Sequence, residues 1–323
     1  MRVVFMGTPD FAVPVLEALI GAHQVIGVVT QPDKRKGRGK AVQFPPVKET
    51  ALAHGIPVWQ PVRVKEEDFL LQLEDLAPDV IVVAAFGQIL PERILNLPPY
   101  GCINVHASLL PKYRGAAPIQ WAVIDGEKET GITIMYMEKG LDTGDMIKKA
   151  SVAIDPKETG ASLHDKLAAL GGPLLLEALT ELEEGRADPQ PQKEEDSTYA
   201  RMLSKDLGKI DWSRDAASIE RLVRGLNSWP SAYTSLGGKT LKLWDTDVAG
   251  PQEAGLSAES EDSMRSAGMT PGTVAAVTKN AIYVVTGKGL LRINELQLQG
   301  KKRMPVSAFL RGYHVEPGIV LGA

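Results

Sequence analysis

The sequence of 323 residues has a single cysteine, Cys102, so an internal disulfide bond is impossible and nothing suggests secretion. Apolar runs are also short, and none approaches the roughly 20 residues that a membrane-spanning helix requires. The first residues, MRVVFMG, are broken too soon for a signal peptide and instead predict a strand. These absences favour a cytoplasmic protein with no membrane association.

Glycine is scarce where a dinucleotide-binding enzyme needs it. The first predicted strand is followed by GTPDFA, which has one glycine where the dinucleotide fingerprint G-x-G-x-x-G uses glycine for close approach to the pyrophosphate. Cysteine and histidine residues with zinc-ligand spacing are missing too. We therefore expect no metal site and no permanently bound cofactor.

The overall charge is mildly acidic, with a formal net charge of −4, which argues against a protein that coats nucleic acid nonspecifically. One segment is nevertheless basic. Residues 33–40 read DKRKGRGK, in which the cations are Lys34, Arg35, Lys36, Arg38 and Lys40. A solvated surface loop and a phosphate-binding loop are both compatible with such a charge run.

The first half of the chain alternates apolar β-rich runs with amphipathic stretches. The pattern predicts strands at residues 2–6, 25–30, 79–85, 102–106, 132–138 and 146–154, and helices at 11–20, 44–53, 91–97, 118–125 and 161–184. The run DVIVVAA at 79–85 is apolar throughout, as in a strand that is covered on both faces. This alternation predicts a mostly parallel, Rossmann-like sheet with helices on both faces.

The second half has a different composition. Residues 186–204 are polar and proline-containing, which is typical of a linker. Beyond them we predict one helix at 216–226 and short strands at 231–235, 240–244, 272–277, 281–286 and 290–298, typical of a smaller β-barrel or open β-domain. Residues 251–270 form a polar insertion, expected to be a mobile loop. The predicted division is 1–185, linker 186–204, and 205–323.

Two polar residues end the buried strand at 102–106. Asn104 and His106 are two positions apart, so their side chains project from the same face at the carboxyl end of a strand, where α/β sheets bind ligands. A catalytic pair and a hydrogen-bonded pair that caps the following loop both fit this spacing. Cys102 has no base paired to it and is expected to be a small buried residue.

A third polar group lies in KGLDTGD, where glycines on either side of Asp142 permit a tight turn. An Asp in a turn usually binds its own backbone, so position alone does not assign Asp142 a chemical role. The loop after His106 contains proline, glycine and two cations, and loops of this kind at strand ends often carry binding function.

At this point INVHASLLPKYRGAAPIQWAVIDGE and the later GLDTGD closely resemble the folate-dependent formyltransferases. Within that family the resemblance runs nearly end to end with the members that formylate methionine carried by initiator tRNA, through VVFMGTPDFAVPVLEAL, VVTQPDKRKGRGK and RGLNSWPSAY. It implies a Rossmann-like catalytic domain and an oligonucleotide-binding-like β-barrel that contacts tRNA. It also implies that 10-formyltetrahydrofolate is a co-substrate and that Asn104, His106 and Asp142 are the catalytic trio.

The resemblance further implies two sets of binding residues. The folate-binding set is Ser108, Leu109, Leu110 and Pro111, with the loop Phe86, Gly87, Gln88, Ile89 and Leu90 as the candidate for holding the pterin. The basic segment would enter the tRNA acceptor stem, with the family's key arginine matching Arg38. No stable protein partner is implied, and we expect a monomer.

The chemistry expected from the trio is attack of an amine on a formyl carbon, which produces a tetrahedral oxyanion. In this hypothesis Asn104 donates to the oxyanion, His106 donates or relays the amine proton, and Asp142 orients His106. Two alternatives remain open: a small-molecule formyltransferase acting on glycinamide ribonucleotide or a nucleotide amino sugar, and a noncatalytic folate- or RNA-binding protein.

Overall fold

The structure is a computed structural model that describes residues 1–36, 41–256 and 269–323. Its chain forms two compact units. The first comprises Met1–Pro118, Glu129–Ala153 and Leu163–Arg201, and the second comprises Ile119–Lys128, Ile154–Ser162 and Met202–Ala323. Among the described residues, no helix has both the length and the apolar character needed to cross a membrane.

Strands and helices alternate along the first half of the chain. In chain order these elements are β1 (Arg2–Gly7), α1 (Val13–Ala22), β2 (Gln24–Val29), β3 (Lys34–Lys36), β4 (Ala41–Gln43), α2 (Pro46–Ala53), β5 (Val58–Trp59), α3 (Glu67–Asp75), β6 (Val80–Ala84), α4 (Glu92–Leu95), β7 (Cys102–His106), β8 (Arg114–Gly115), α5 (Pro118–Asp125), β9 (Glu129–Tyr136), β10 (Met146–Ala153), α6 (Gly160–Glu183) and β11 (Tyr199–Ala200).

The central sheet of the first unit has the strand order β10-β9-β7-β6-β1-β2-β5. The strands from β7 to β5 run parallel, whereas β9 and β10 are antiparallel at one edge. β6 and β7 are buried along their whole length, as the apolar composition of both runs requires. The predicted parallel sheet flanked by helices is confirmed.

Three details of the first unit differ from the sequence predictions. The helix predicted at 11–20 is a 3-10 turn at Asp10–Ala12 followed by α1, because Pro14 is tolerated only in the first turn of an α-helix. Helix α3 was missed, although Phe69, Leu70 and Leu73 have the spacing of a buried helical face. The basic segment is not a simple loop, since β3 pairs with β4 as a short hairpin.

The second unit contains an antiparallel sheet. Its elements are α7 (Ala216–Gly225), β12 (Ala232–Leu236), β13 (Lys239–Ala249), β14 (Val274–Val277), β15 (Ile282–Val285), β16 (Leu290–Leu298), β17 (Met304–Pro305) and α8 (Val306–Phe309). The strand order is β12-β13-β16-β15-β14, with β17 beside β16. The predicted β-rich second domain is confirmed. Of the predicted polar insertion, residues 257–268 lie outside the described residues.

Helix α7 supplies part of the second unit's core. Its buried face includes Ile219 and Val223, which belong to the same apolar cluster as Leu243 of β13 and Leu291 of β16. The N-cap residue of the helix is Asp215, whose side chain accepts a hydrogen bond from the backbone N–H of Ser218 at 2.8 Å. Such a cap satisfies a donor that the first turn would otherwise leave unpaired.

Candidate functional site

Strand β7 carries two of the predicted site residues to the carboxyl end of the sheet. Asn104 lies opposite Val83 of β6 and Met135 of β9, so it occupies the middle of three paired strands. Asn104 and His106 are 9% and 6% exposed, respectively. Buried polar side chains at such a position require partners, supplied either by the protein or by a ligand.

The imidazole of His106 lies between a backbone carbonyl and a carboxylate. Its Nε2 is 2.9 Å from the carbonyl oxygen of Tyr113, and its Nδ1 is 3.7 Å from Oδ2 of Asp142. Because a carbonyl oxygen can only accept, Nε2 carries the hydrogen of this bond. The ring orientation is thereby set, with Nδ1 directed toward Asp142.

Asp142 lies in a turn that brings it to the sheet although it is far from β7 in sequence. Its φ of 52° is in the left-handed region, and its Oδ2 accepts the backbone N–H of Gly115 at 2.8 Å. The turn also requires Gly144, where a Cβ would stand 2.0 Å from the carbonyl oxygen of Tyr136. The carboxylate is therefore held between the loop after β7 and the ring of His106.

Asn104 differs from its two neighbours in having no side-chain hydrogen bond to any of the described residues, whereas His106 and Asp142 both contact the protein. Neither polar atom of the Asn104 carboxamide is among the fully buried side-chain atoms that lack a partner, so the amide reaches the surface of the site although the residue is only 9% exposed. It is therefore placed to bind a ligand atom there.

The Ser-Leu-Leu-Pro stretch is held tightly by the protein itself. The Ser108 hydroxyl donates to the carbonyl of Lys112 at 2.6 Å, and the Ser108 carbonyl accepts from Thr133 Oγ1 at 2.7 Å. Lys149 Nζ donates to the Leu110 carbonyl at 2.9 Å. Ser108 is fully buried, so its side chain shapes the loop in this structure and does not face a ligand.

The loop at 86–90 follows β6 at the same edge of the sheet. The Phe86 carbonyl accepts from both Thr8 Oγ1 and Gln31 Nε2 at 3.2 Å. The Oε1 atom of Gln88 accepts the backbone N–H of Val64 at 3.0 Å, while Ile89 is 82% exposed. The loop is thus anchored at its beginning and presents an apolar side chain outward.

The basic segment is described only in part. Lys34 is exposed and belongs to β3, together with the backbone of Arg35 and Lys36. Arg38 and Lys40 lie outside the described residues. The structure therefore describes only the paired strands of the hairpin, and the expectations for Arg38 and Lys40 stay predictions.

Sequence reasoning missed Gln192 and Arg114, which surround the Asp142 turn. The side chain of Gln192 donates to the carbonyls of Asp142 and Gly144 at 2.8 Å, and it accepts from Arg114 at 3.0 Å. Gln192 lies in the polar run PQPQKEEDS, which has no local signal of a structural role. The position of Arg114 three residues after the Ser-Leu-Leu-Pro stretch was the only available signal in the sequence.

Neither a reactive thiol nor a group of metal ligands is found among the described residues. Burial raises the pKa of the Cys102 thiol to about 12, and the thiol donates to the carbonyl of Ile94 at 3.4 Å. A thiol in this state is not a nucleophile near neutral pH. Within the described ranges, no group of three or more His, Cys, Asp or Glu side chains is arranged to hold a metal ion.

Two family models together match most of the chain. The model described as "Formyl transferase" matches residues 1–179, and the model described as "Formyl transferase, C-terminal domain" matches residues 202–314. A protein of Agathobacter rectalis named methionyl-tRNA formyltransferase is 56% identical over 319 residues, which cover 98% of each chain. A protein of Lachnospira eligens with the same name is 53% identical over 323 residues, which cover 100% of each chain.

Among solved structures, HypX from Aquifex aeolicus in complex with tetrahydrofolic acid matches with a TM-score of 0.59 and 20% sequence identity. The match covers 98% of this chain and 49% of HypX, so the chain spans about half the length of that protein. At this level of identity the likeness concerns the fold alone.

Proposed function

The chain belongs to the formyl transferase family, and we propose that it transfers the formyl group of 10-formyltetrahydrofolate to the α-amino group of methionine carried by initiator tRNA. The observation that carries this proposal is the end-to-end match to relatives named methionyl-tRNA formyltransferase, at 56% and 53% identity. The reaction serves translation initiation. The enzyme acts in the cytoplasm as a monomer, without a permanently bound cofactor.

The attacking group in this reaction is an amine, which reacts only when it is neutral. A model α-amino group has a pKa of about 7.7–8.0. Since the neighbouring ester withdraws electrons, the acceptor is partly neutral at physiological pH and needs no strong base. The enzyme's task is to position the amine beside the formyl carbon and to stabilise the charge that develops on the formyl oxygen.

Asn104 is the donor to that oxygen. Its carboxamide is nearly buried and makes no hydrogen bond to the described part of the chain, so an N–H remains for the oxyanion of the tetrahedral intermediate. A preorganised donor of this kind contributes roughly 3–4 kcal/mol to transition-state stabilisation.

His106 moves the proton and Asp142 assists it. Nε2 of His106 is engaged with the Tyr113 carbonyl, whereas Nδ1 is 3.7 Å from the Asp142 carboxylate, which is longer than a hydrogen bond. Nδ1 is therefore the nitrogen that takes the amine proton and passes it to N10 of the departing folate. Asp142 stabilises the imidazolium formed in between.

The folate donor binds at the carboxyl edge of the sheet. Ser108, Leu109, Leu110 and Pro111 supply backbone and apolar surface, because the Ser108 hydroxyl is already bound to Lys112. The pterin meets the loop Phe86, Gly87, Gln88, Ile89 and Leu90. Because the Phe86 carbonyl is occupied by Thr8 and Gln31, the later backbone groups of this loop are the ones left for the pterin.

The tRNA is bound by two parts of the chain. The basic segment (Lys34, Arg35, Lys36, Arg38 and Lys40) contacts phosphates near the acceptor end, and residues 205–323 contact the body of the tRNA. Residues 1–185 form the catalytic domain, and residues 186–204 connect the two. Phosphate contacts predict that log Kd for tRNA rises linearly with log salt concentration, and Arg38→Ala is expected to reduce that slope by about 1.

One assay tests the proposed function against its alternatives. 10-Formyltetrahydrofolate is offered with methionine-charged initiator tRNA, with glycinamide ribonucleotide, or with an amino sugar nucleotide, and formyl transfer is followed. We expect rapid transfer to the charged tRNA alone. Transfer to one of the small acceptors would reassign the substrate, and failure with all three would favour a noncatalytic binding protein.

A further inference from the structure

The segment between the two matched family domains is closely bound to the candidate site. This connecting segment (residues 190–200) pairs with Met146 through Gln190, with two backbone hydrogen bonds of 2.8 Å. Farther along, the Thr198 carbonyl accepts the backbone N–H of Arg114, and the Ala200 carbonyl accepts that of Ala116, both at 2.9 Å. It therefore runs from the Asp142 turn to the loop that follows His106.

Both the nitrogen and the oxygen of the Gln192 side-chain amide make hydrogen bonds to this part of the protein. Its Nε2 donates one hydrogen to the Asp142 carbonyl and one to the Gly144 carbonyl, each at 2.8 Å. Its Oε1 accepts from Nε of Arg114 at 3.0 Å. Arg114 is in turn paired with Glu194 of the same segment at 2.7 Å, and the Arg114 side chain is only 9% exposed.

The Asp142 turn is restrained by residues outside it. Asp142 adopts the left-handed conformation, with φ of 52°, which residues other than glycine adopt uncommonly, although Asp and Asn tolerate it best. The two hydrogen bonds from Gln192 hold both carbonyls of this turn. With these two hydrogen bonds in place, Oδ2 of Asp142 is 2.8 Å from the Gly115 nitrogen and 3.7 Å from Nδ1 of His106.

We propose that Gln192 is a positioning residue for the formyl transfer, holding the Asp142 turn so that its carboxylate faces Nδ1 of His106. This role rests on the proposed function of the site. It also assigns the connecting segment a part in catalysis, in addition to joining two domains. A simple tether would need the backbone hydrogen bonds of the segment but not the donor groups of one glutamine side chain.

The test compares Gln192→Glu and Gln192→Ala with the control Gln190→Ala. Gln192→Glu keeps the size of the side chain and its acceptor for Arg114, but it directs a carboxylate oxygen at two carbonyls. Gln190→Ala removes an exposed amide of the same segment, whose side-chain hydrogen bonds to the described residues go to Asp188 alone. For each protein we would measure kcat, the Kd for tetrahydrofolate, the pH–rate profile and the melting temperature.

We expect both Gln192 variants to lose kcat on the order of 100-fold, the effect of a displacement of about 1 Å in a catalytic group. Tetrahydrofolate binding should be retained and the pH–rate profile should shift, while Gln190→Ala should match the wild type. If folded Gln192→Ala keeps the wild-type kcat and pH–rate profile, the segment is only a tether and the proposal is overturned.

A second measurement separates this role from the proposed function. NMR of the His106 ring, recorded against pH, reports whether Asp142 still faces the imidazole even if no acceptor is formylated. We expect the ring titration to change in both Gln192 variants and to stay as in the wild type in Gln190→Ala. An unchanged titration in Gln192→Ala would refute the positioning role, whereas an inactive wild type would refute only the proposed reaction.

Discussion

Nε2 of His106 donates a hydrogen bond to the carbonyl of Tyr113 at 2.9 Å. The bond leaves Nδ1, which lies 3.7 Å from Oδ2 of Asp142, as the nitrogen that exchanges a proton in the proposed reaction. A glutamine at this position could still donate to Tyr113 but could not accept and release a proton. We therefore expect His106→Gln to lower kcat by about 10²–10⁴-fold, the range of a lost general acid–base, with tetrahydrofolate binding retained. Single-turnover formyl transfer measures this, and a kcat near wild type would contradict the proton-transfer role.

Asn104 offers a test in which activity should change while stability does not. Its carboxamide is nearly buried and makes no hydrogen bond within the described part of the chain. Asn104→Leu keeps the number and branching of the side-chain heavy atoms, and no protein hydrogen bond is lost within the described residues, so the melting temperature should change little. Turnover should fall by roughly 10²–10³-fold because the oxyanion loses its donor. A variant that is both less stable and fully active would show that Asn104 serves the fold.

The sequence predicts relationships within an element much better than relationships between elements. The shared face of Asn104 and His106 follows from the two-residue repeat of a strand, and the structure has both on β7. Asp142 stands out in the sequence as an acid in a glycine turn, but it received a chemical role only through the family resemblance, because no local pattern says which strand end a turn will approach. Gln192 was missed for the same reason: its neighbours are polar, and its role arises from contacts with residues distant in sequence.

We predict that the Cys102 thiol does not react with alkylating reagents while the protein is folded. It is 1% exposed, and burial raises the pKa of its thiol to about 12. Only the thiolate reacts with alkylating reagents, so iodoacetamide at neutral pH should modify Cys102 only after unfolding. Mass spectrometry with and without urea checks this. Cys102→Ser should keep most of the turnover, and stoichiometric alkylation of the native enzyme would contradict the buried assignment.

The base of the basic hairpin is anchored by Lys48 of α2. Its Nζ lies 2.7 Å from Asp33 Oδ2 and 2.7 Å from Gln60 Oε1, and 4.0 Å from the centre of the Phe44 ring. Asp33 precedes β3 and Phe44 follows β4, so the contacts hold both ends of the hairpin. Lys48→Met should raise the KM for charged tRNA about tenfold if roughly 1.4 kcal/mol of positioning is lost, with the KM for the folate donor unchanged. Glu49→Ala, an exposed residue of α2, is the control; an equal rise in both KM values would indicate general damage.

The hydrogen bonds from Lys48 and Gln60 to the Asp33 carboxylate should weaken in acid. Hydrogen bonds from Lys48 and Gln60 hold the pKa of the Asp33 carboxyl below its usual range. A carboxyl whose pKa is lower in the folded than in the unfolded state stabilises the fold above its unfolded pKa, about 3.9 for Asp. That contribution is lost as the pH falls through the folded pKa. Urea unfolding of the wild type and Asp33→Asn should therefore differ at pH 7 and converge as the pH falls below about 4. In a Lys48→Met background the effect of Asp33→Asn should shrink at every pH; a full effect there would mean that Lys48 is not the partner that stabilises the carboxylate.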